Sequence, residues 1–164
     1  MMEHMKRVNR IIRHPLWQGA MAQIESMEET RVYCKHDLTH LLDTARLAYI
    51  ENLEECLGVS KELIYAAALL HDIGRGLEYV QGISHDEASC ALAGTILSET
   101  GFCEGECAAI IEAIGAHRQP DTRLRPDLAG LLYRADKGSR NCFYCKQQDT
   151  CNWSEDKKNK EIKD

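Results

Sequence analysis

The sequence predicts an all-α protein, a single bundle of helices. Its 164 residues suit one compact domain. Only three prolines occur, at positions 15, 120 and 126, each where a helix would begin or end. The sequence has no alternating run of β-branched residues and no Asn-Gly hairpin signal. Apolar residues instead recur every three or four positions, which is typical of helices that bury one face.

The N-terminal part of the chain is expected to form three helices. The first two cover about residues 3–13 and 16–33. The third begins near His36 and ends at Gly58, and its apolar residues follow the 3.6-residue period of a helix with one buried face.

The most apolar helix is expected in the middle of the chain. Ser60 can cap its first turn. Residues 63–70 are apolar on nearly every side, which indicates a buried, central helix. Gly74 and Gly76 are expected to end it, and residues 76–84 are expected to form a loop.

The rest of the chain is expected to add three helices and a tail. Two helices cover about residues 86–100 and 104–117, and a third begins at Pro126 after the polar loop RQPDTRLRP. The tail from about Gly138 ends in the charge run SEDKKNKEIKD, for which we expect a frayed or solvated end.

The expected organisation has three parts. Helices in residues 1–35 pack on a core formed by residues 36–140, and residues 141–164 form a short Cys-rich appendage with a charged tail. The net charge of −6 gives no global basic field, so we expect no nucleic-acid partner. No stretch approaches the ~20 apolar residues of a membrane span, and we expect a cytoplasmic protein.

A His-Asp pair directly after the central helix is the first sign of chemistry. His71 and Asp72 follow the run Ala-Ala-Ala-Leu-Leu. Burying a carboxylate without a partner costs several kcal/mol, and a divalent cation is one of the few partners that would satisfy both side chains. A lone histidine on an apolar face is more often a hydrogen-bonded core residue, so the pair is interpreted together with its surroundings.

Those surroundings resemble a known family. From His36 to Arg140 the chain contains HDLTHLLDTARLA, then AAALLHDIGR, then a histidine at a helix end, then LLYRADKGSR. This order of a His on an early helix, a His-Asp pair and a final Asp is similar to that of HD-domain metal-dependent phosphohydrolases. The resemblance covers about two thirds of the chain and implies an HD-domain helical bundle.

The resemblance implies that His40, His71, Asp72 and Asp136 hold a metal ion. His36, one helical turn before His40, is the competing first ligand, since residues i and i+4 share a face. If His40 is the ligand, His36 is expected to contact it or a substrate phosphate. Two imidazoles and two carboxylates suit Fe, Mn, Co, Zn or Ni better than Ca or Mg.

The resemblance leaves open whether the site holds one metal ion or two. Family members with two metals carry further histidines where this chain has His85 and His117, and Asp72 would then bridge the ions. Otherwise His85 is a surface residue at a helix start, and His117 belongs to the core or contacts phosphate. The whole set most resembles bacterial HD hydrolases that split diadenosine tetraphosphate.

The resemblance implies hydrolysis, by metal-activated water, of a nucleotide or another small phosphate ester or anhydride. Catalytic roles fall to Asp72, Arg75 and Lys137, and the partner is a small-molecule phosphate. Candidate contacts to the substrate phosphate are Arg75, Arg118, Lys137, Arg140 and His36. The alternative is a non-catalytic nucleotide-binding or regulatory HD module. The oligomeric state is not indicated.

Three of the eight cysteines form a C-x2-C-x5-C pattern near the C-terminus: Cys142, Cys145 and Cys151. In a cytosolic protein such a cluster indicates a metal rather than disulfides. A structural Zn²⁺ needs a fourth ligand, which Cys34 or a His or Asp would supply, and an iron–sulfur cluster also fits. The alternative is three reduced cysteines packed among aromatic side chains.

Overall fold

A computed structural model describes residues 4–162, and helices dominate that range. No strand occurs within it, which confirms the all-α prediction. No helix of this part of the chain is long and apolar enough to cross a membrane. The helices are α1 (Lys6–Arg13), α2 (Pro15–Met27), α3 (Leu38–Glu54), α4 (Lys61–Leu70), α5 (Arg75–Gln81), α6 (His85–Thr100), α7 (Glu104–Ala116) and α8 (Leu128–Gly138), with 3₁₀ turns at Pro120–Leu124 and Cys142–Tyr144.

Helix α4 is the centre of the bundle, as its composition predicts. It packs against α1, α3, α7 and α8. Its residues from Ala66 to Leu70 have at most 1% of their surface exposed. Because α4 is surrounded on all sides, the residues that follow it emerge inside the protein rather than at its surface.

Helices α1 and α2 pack together and against α6, and α2 reaches the end of α4. The buried Trp17 of α2 donates its indole N–H to the carbonyl of Leu69 at 2.9 Å. That carbonyl lies in the last turn of α4, where helix carbonyls lack partners within the helix. Helix α2 ends at Met27 rather than near residue 33, and residues 28–37 form a non-helical segment before α3.

The expectation of a loop over residues 76–84 is wrong, because helix α5 occupies Arg75–Gln81. Gly76 lies inside this helix, where a Cβ atom would meet only the flexible Gln23 side chain of α2. The glycine therefore does not end a helix. Gly82, with φ of 71°, ends α5 in the left-handed conformation that glycine adopts readily.

Gly74 brings the turn after α4 against the start of α6. A Cβ atom on Gly74 would lie 2.5 Å from both the His85 carbonyl oxygen and the Ser89 amide nitrogen. The Gly74 N–H donates to the Ser89 hydroxyl at 2.8 Å. This contact places the His71-Asp72 pair beside His85.

The charged tail is largely exposed up to residue 162, as a solvated end would be, but it is anchored at one buried residue. The buried side-chain amide of Asn159 donates to the carbonyls of Lys137 and Arg140 at 2.7 and 2.9 Å. The Phe143 N–H in turn donates to the Asn159 carbonyl. These bonds hold the C-terminal segment against the end of α8, which composition alone does not reveal.

Candidate metal centre

Six side chains meet where five helices begin or end. His40 lies in the first turn of α3, where its backbone N–H donates to the carboxylate of Asp37, the N-cap residue, at 3.0 Å. The other five stand directly after α4, at the start of α6, directly after α7 and in the last turn of α8. The six residues are His40, His71, Asp72, His85, His117 and Asp136.

Four of them surround one point. Each of His40, His71, Asp72 and Asp136 offers one ligand atom within 4.8 Å of the others. His40 Nε2 lies 3.3 Å from both Asp72 Oδ2 and Asp136 Oδ1. His71 Nε2 lies 3.1 and 3.5 Å from the same two oxygens. Two imidazole nitrogens and two carboxylate oxygens form a donor set suited to a divalent transition metal.

The second group uses the other oxygen of Asp72. His85 Nε2 and His117 Nε2 lie 3.4 and 3.9 Å from Asp72 Oδ1. The two imidazole nitrogens are 3.3 Å apart. Asp72 therefore faces two histidines through Oδ2 and two others through Oδ1, as a bridging carboxylate would.

Hydrogen bonds on the opposite ring nitrogens fix how the histidines are oriented. His71 Nδ1 is 2.7 Å from the Ala68 carbonyl oxygen, and His117 Nδ1 is 2.6 Å from that of Ile114. A carbonyl only accepts, so both Nδ1 atoms carry hydrogen. In the neutral rings, each Nε2 lone pair is then directed into the cluster.

The remaining two histidines are held in the same way. His85 Nδ1 lies 2.9 Å from a Glu78 carboxylate oxygen. His40 Nδ1 lies 3.0 Å from the Ser139 hydroxyl, whose own hydrogen is donated to the Asp136 carbonyl at 2.8 Å. Ser139 therefore accepts from His40. All four rings thus present Nε2 to the cluster.

A metal ion would satisfy the Nε2 atoms that face the cluster. His40 Nε2 and His71 Nε2 are buried and have no hydrogen-bond partner, because their short distances to the carboxylates lack hydrogen-bond geometry. His85 and His117, with Nδ1 protonated, direct two lone pairs at each other at 3.3 Å. Buried polar atoms without partners are costly, and a divalent metal ion would satisfy them all. The residues present therefore fit a metal ion at each group.

Within the first group, the carboxylates and the imidazoles shift one another's pKa values. Burial alone would raise the pKa of Asp72, but the positive charge of His71 holds it well below its usual range. The adjacent imidazoles of His40 and His71 likewise outweigh burial and keep the pKa of Asp136 low. Burial would lower the pKa of His71, yet the two carboxylates raise it to about 10. A metal ion would replace the His71 proton, so metal binding releases a proton.

The two histidines of the second group are neutral near neutral pH. Burial and the nearby charge of His71 lower the pKa of His117 to about 4. Burial and the guanidinium of Arg75 lower the pKa of His85. Neutral imidazoles are the form that binds metals, so neither ring has to lose a proton near neutral pH.

The structure separates the two candidates for the first ligand. His40 lies in the first group, whereas His36 bonds to Glu28 through its backbone N–H at 2.7 Å and through Nδ1 at 2.5 Å. The Tyr79 hydroxyl donates to the same carboxylate at 2.6 Å. The His36 ring packs edge-on against His40, with centroids 5.9 Å apart. Sequence reasoning missed Glu28 and Tyr79, since no motif connects them to His36.

Two of the basic candidates border the cluster. Arg75 lies 3.3 Å from Asp72 Oδ1 and 3.3 Å from Glu78. Lys137 lies 2.6 Å from Asp136 Oδ2 and also donates to the His117 carbonyl at 2.9 Å. Both side chains are partly exposed, at 23% and 39%, so they reach solvent from the edge of the cluster.

The other two basic candidates have other contacts. Arg118 is half exposed and pairs with Asp86 at 3.4 Å. Arg140 donates to the Lys35 carbonyl at 2.6 Å. In the conformation described, neither has a hydrogen bond or an ion pair with the six clustered residues.

Comparison with known families agrees with this geometry. The HD domain family model matches residues 37–141, so the chain belongs to the HD domain family. The crystal structure of a predicted HD superfamily hydrolase from an uncultured Thermotogales bacterium has the same fold, with a TM-score of 0.65 and 22% identity. The match covers 87% of this chain and 79% of that one. The expected HD-domain helical bundle is confirmed.

Two proteins of similar sequence match this chain over different lengths. An uncharacterized protein of Clostridium beijerinckii is 41% identical over 158 residues, covering 96% of this chain and 99% of its own length. Ribonuclease Y of Aquifex aeolicus is 36% identical over 97 residues, which is 58% of this chain but only 16% of the ribonuclease. The first is therefore similar along the whole chain, and the second along one part of it.

Proposed function

We propose that this protein is a phosphohydrolase with a binuclear metal centre, acting on a nucleotide or another small phosphate ester or anhydride. The observation that carries the proposal is the arrangement around Asp72. Its Oδ2 faces His40 and His71, while its Oδ1 faces His85 and His117. One carboxylate shared by two sets of oriented imidazoles is the pattern expected for a pair of bridged ions.

Each proposed ion has its own ligands. His40, His71, Asp136 and Asp72 Oδ2 would hold the first, and His85, His117 and Asp72 Oδ1 the second. Bound divalent ions supply positive charge for phosphoryl oxygens and lower the pKa of a bound water from near 16 toward about 7. The donor set favours Fe, Mn, Co, Zn or Ni.

Arg75 and Lys137 are proposed to position the substrate. Both border the cluster and are paired with its carboxylates, Asp72 and Asp136. Ion binding would neutralise these carboxylates, which frees both cations to bind phosphate oxygens. The planar guanidinium can do so through two parallel hydrogen bonds, and the ammonium acts as a point charge.

A small phosphate fits this protein better than a nucleic acid. The net charge is −6, so no global basic field attracts a polyanion. The name of the Aquifex aeolicus relative suggests RNA as a substrate, but the match covers only 16% of that protein. Nucleotides, including diadenosine tetraphosphate, are therefore the expected substrates, and RNA serves as the contrasting one.

The test is phosphate release by metal-loaded protein from a panel of nucleotides, diadenosine tetraphosphate and RNA. Arg75→Ala and Lys137→Ala should keep the metal and lower kcat/KM by at least tenfold. Lys61→Ala is the matched control, because Lys61 lies at the opposite end of α4 and packs over Tyr49. Full metal content without phosphate release from any substrate would contradict the proposal and point to a regulatory HD module.

A further inference from the structure

Four of the eight cysteines line one cavity that borders the His/Asp cluster at His40. Cys34 comes from the segment between α2 and α3, and the other three, Cys142, Cys145 and Cys151, come from the C-terminal segment. All four are reduced. Four thiols converging from two distant parts of a chain match the donor number of a closed tetrahedral zinc site.

The thiols are close enough to influence one another. All four border the same cavity, and Cys34 lies near enough to Cys142, Cys145 and Cys151 for their charges to act on its thiol. Thiolates placed together repel each other, so all four can lose their protons only when a cation takes up their charge.

The C-x2-C segment has the backbone of a metal-binding knuckle. Cys142–Tyr144 forms a 3₁₀ turn in which the Cys145 N–H donates to the Cys142 carbonyl at 3.1 Å. The Gln147 N–H then donates to Cys145 Sγ at 3.4 Å. A backbone N–H directed at the sulfur stabilises the thiolate and orients it as a ligand.

Hydrogen bonds on both sides of Cys34 hold it beside this knuckle. The Tyr33 hydroxyl donates to the Thr150 carbonyl at 3.2 Å, just before Cys151. Arg140 donates to the Lys35 carbonyl at 2.6 Å. The segment of Cys34 is therefore fixed to the C-terminal segment independently of any ion.

Positive side chains balance the charge of such a site. Four thiolates with one Zn²⁺ carry a net charge of −2. Arg140 lies near Cys34, and Lys158, whose side chain is only 7% exposed, lies near Cys151. Lys158 also lines the same cavity. Lys158 also pairs with Glu155 at 2.7 Å and donates to the Gln148 carbonyl at 2.8 Å, so it offsets only part of the charge of the site.

We infer that Cys34, Cys142, Cys145 and Cys151 bind a single Zn²⁺ through four thiolates. Within residues 4–162 no three of these sulfurs lie within 4.8 Å of one another, so binding requires the side chains to rotate toward a common centre. The cavity they line has a volume of about 340 Å³, which leaves room for these rotations.

The site joins two segments next to the His/Asp centre. The same cavity is lined by His40 and Ser139, which belong to the first metal group. The ion therefore stabilises one wall of that group without contacting a substrate. The inference does not depend on the proposed function, since the chain can bind zinc here whether or not it hydrolyses phosphates.

X-ray absorption of the zinc-loaded full chain and spectroscopy of its cobalt form test this inference. The zinc spectrum should show sulfur neighbours at about 2.3 Å, and their average number multiplied by the measured zinc content should give four sulfurs per chain, since zinc at the His/Asp residues adds none. Cobalt should show sulfur-to-metal charge-transfer bands, which the His/Asp residues cannot produce because they contain no sulfur. Cys34→Ser should lose most of the cobalt signal, and Cys34→His should retain the ion with three sulfurs. Cys103→Ser, at an exposed cysteine, is the control and should change nothing.

Three results would overturn the inference. One is the absence of sulfur-to-cobalt bands in the reduced wild type. The second is an unchanged sulfur count in Cys34→Ser, which would assign the fourth ligand elsewhere. The third is inorganic sulfide with an iron–sulfur absorption spectrum. If the cysteine variants fail to fold, the sulfur count of the wild type decides alone.

Discussion

The orientation of each clustered histidine depends on the group that holds its Nδ1 atom. Backbone carbonyls hold His71 and His117, whereas side chains hold His40 and His85. The side-chain partners can be removed by substitution without altering a proposed ligand. Ser139 is the sharper test, because Glu78 also pairs with the charged side chain of Arg75.

Ser139→Ala should lower metal affinity at the first group by about 10–100-fold, since it removes the acceptor that orients His40. Competitive titration with a metal-sensitive dye measures the change. Ser98→Ala is the control, because the exposed Ser98 hydroxyl bonds only to a carbonyl of its own helix, that of Thr95. Equal affinities for wild type and Ser139→Ala would contradict the role given to this hydroxyl.

Glu28 makes a pH-dependent contribution to stability. Burial would raise its pKa, but hydrogen bonds from His36 and Tyr79 lower it from 4.5 to about 2. A lowered pKa in the folded state stabilises the protein above about pH 4.5, and this contribution is lost as the pH falls toward 2. In denaturant unfolding, Glu28→Gln should be less stable than wild type at pH 7, and the difference should narrow below about pH 4.5. A constant difference between pH 7 and pH 3 would exclude this role.

Sequence reasoning selects the candidate ligands but not the residues that hold them. The motif around the His-Asp pair indicates which side chains carry chemistry. Ser139, Glu78 and Glu28 reach their partners only through the folding of other elements, so no local pattern marks them. The choice between His36 and His40 was likewise open, because both lie near the start of one helix and spacing treats them alike.

At the scale of elements, the cluster exists because helices end together. Within a helix, side chains spread at 100° intervals, whereas the turn after α4 places His71 and Asp72 side by side in the interior. Gly74 permits this turn to lie directly against α6. The contact between the turn and α6 is therefore the structural basis of the shared carboxylate.

Gly74→Ala should destabilise the protein by about 1–3 kcal/mol, because its new Cβ would meet the backbone of His85 and Ser89 at 2.5 Å. Thermal unfolding measures the effect, with a decrease of about 2–4 °C for each kcal/mol. Gly105→Ala is the control, since nothing lies within 4 Å of that position, and it should be neutral or stabilising. If both variants melt at the wild-type temperature, the close contact of Gly74 with the backbone of His85 and Ser89 is refuted.

The long periodic helices are predictable from sequence, and the short irregular elements are not. The apolar composition of α4 indicates its central place, and α6 and α8 lie within about two residues of their predicted bounds. Helix α5 was missed because Gly76, inside this short helix, resembles a helix terminator. The anchor of the tail was missed because it depends on one buried side chain, that of Asn159.

At the scale of the whole molecule, metal binding connects most of the fold. The six clustered residues come from α3, the end of α4, α6, the end of α7 and α8. An ion that binds them is bound by the folded chain alone, because the unfolded chain does not hold these groups together. Occupation of the centre should therefore stabilise the entire bundle.

Saturating Mn²⁺ should raise the melting temperature of metal-free protein. At one hundred times its dissociation constant, an ion adds about 2.7 kcal/mol per site. Manganese is chosen because it prefers nitrogen and oxygen ligands over the thiolates of the cysteine cavity. Asp72→Asn is the comparison, and it should show little or no manganese-dependent shift in calorimetry. A similar shift in both proteins would place the stabilising ion elsewhere.

The most direct test is the metal content of wild type, Asp72→Ala and His85→Ala, measured together with phosphate release from the nucleotide panel. Because Asp72 faces both groups, Asp72→Ala should lose two ions per chain and all activity, whereas His85→Ala should lose one ion. An Asp72→Ala protein with unchanged metal content and full activity would contradict the binuclear phosphohydrolase.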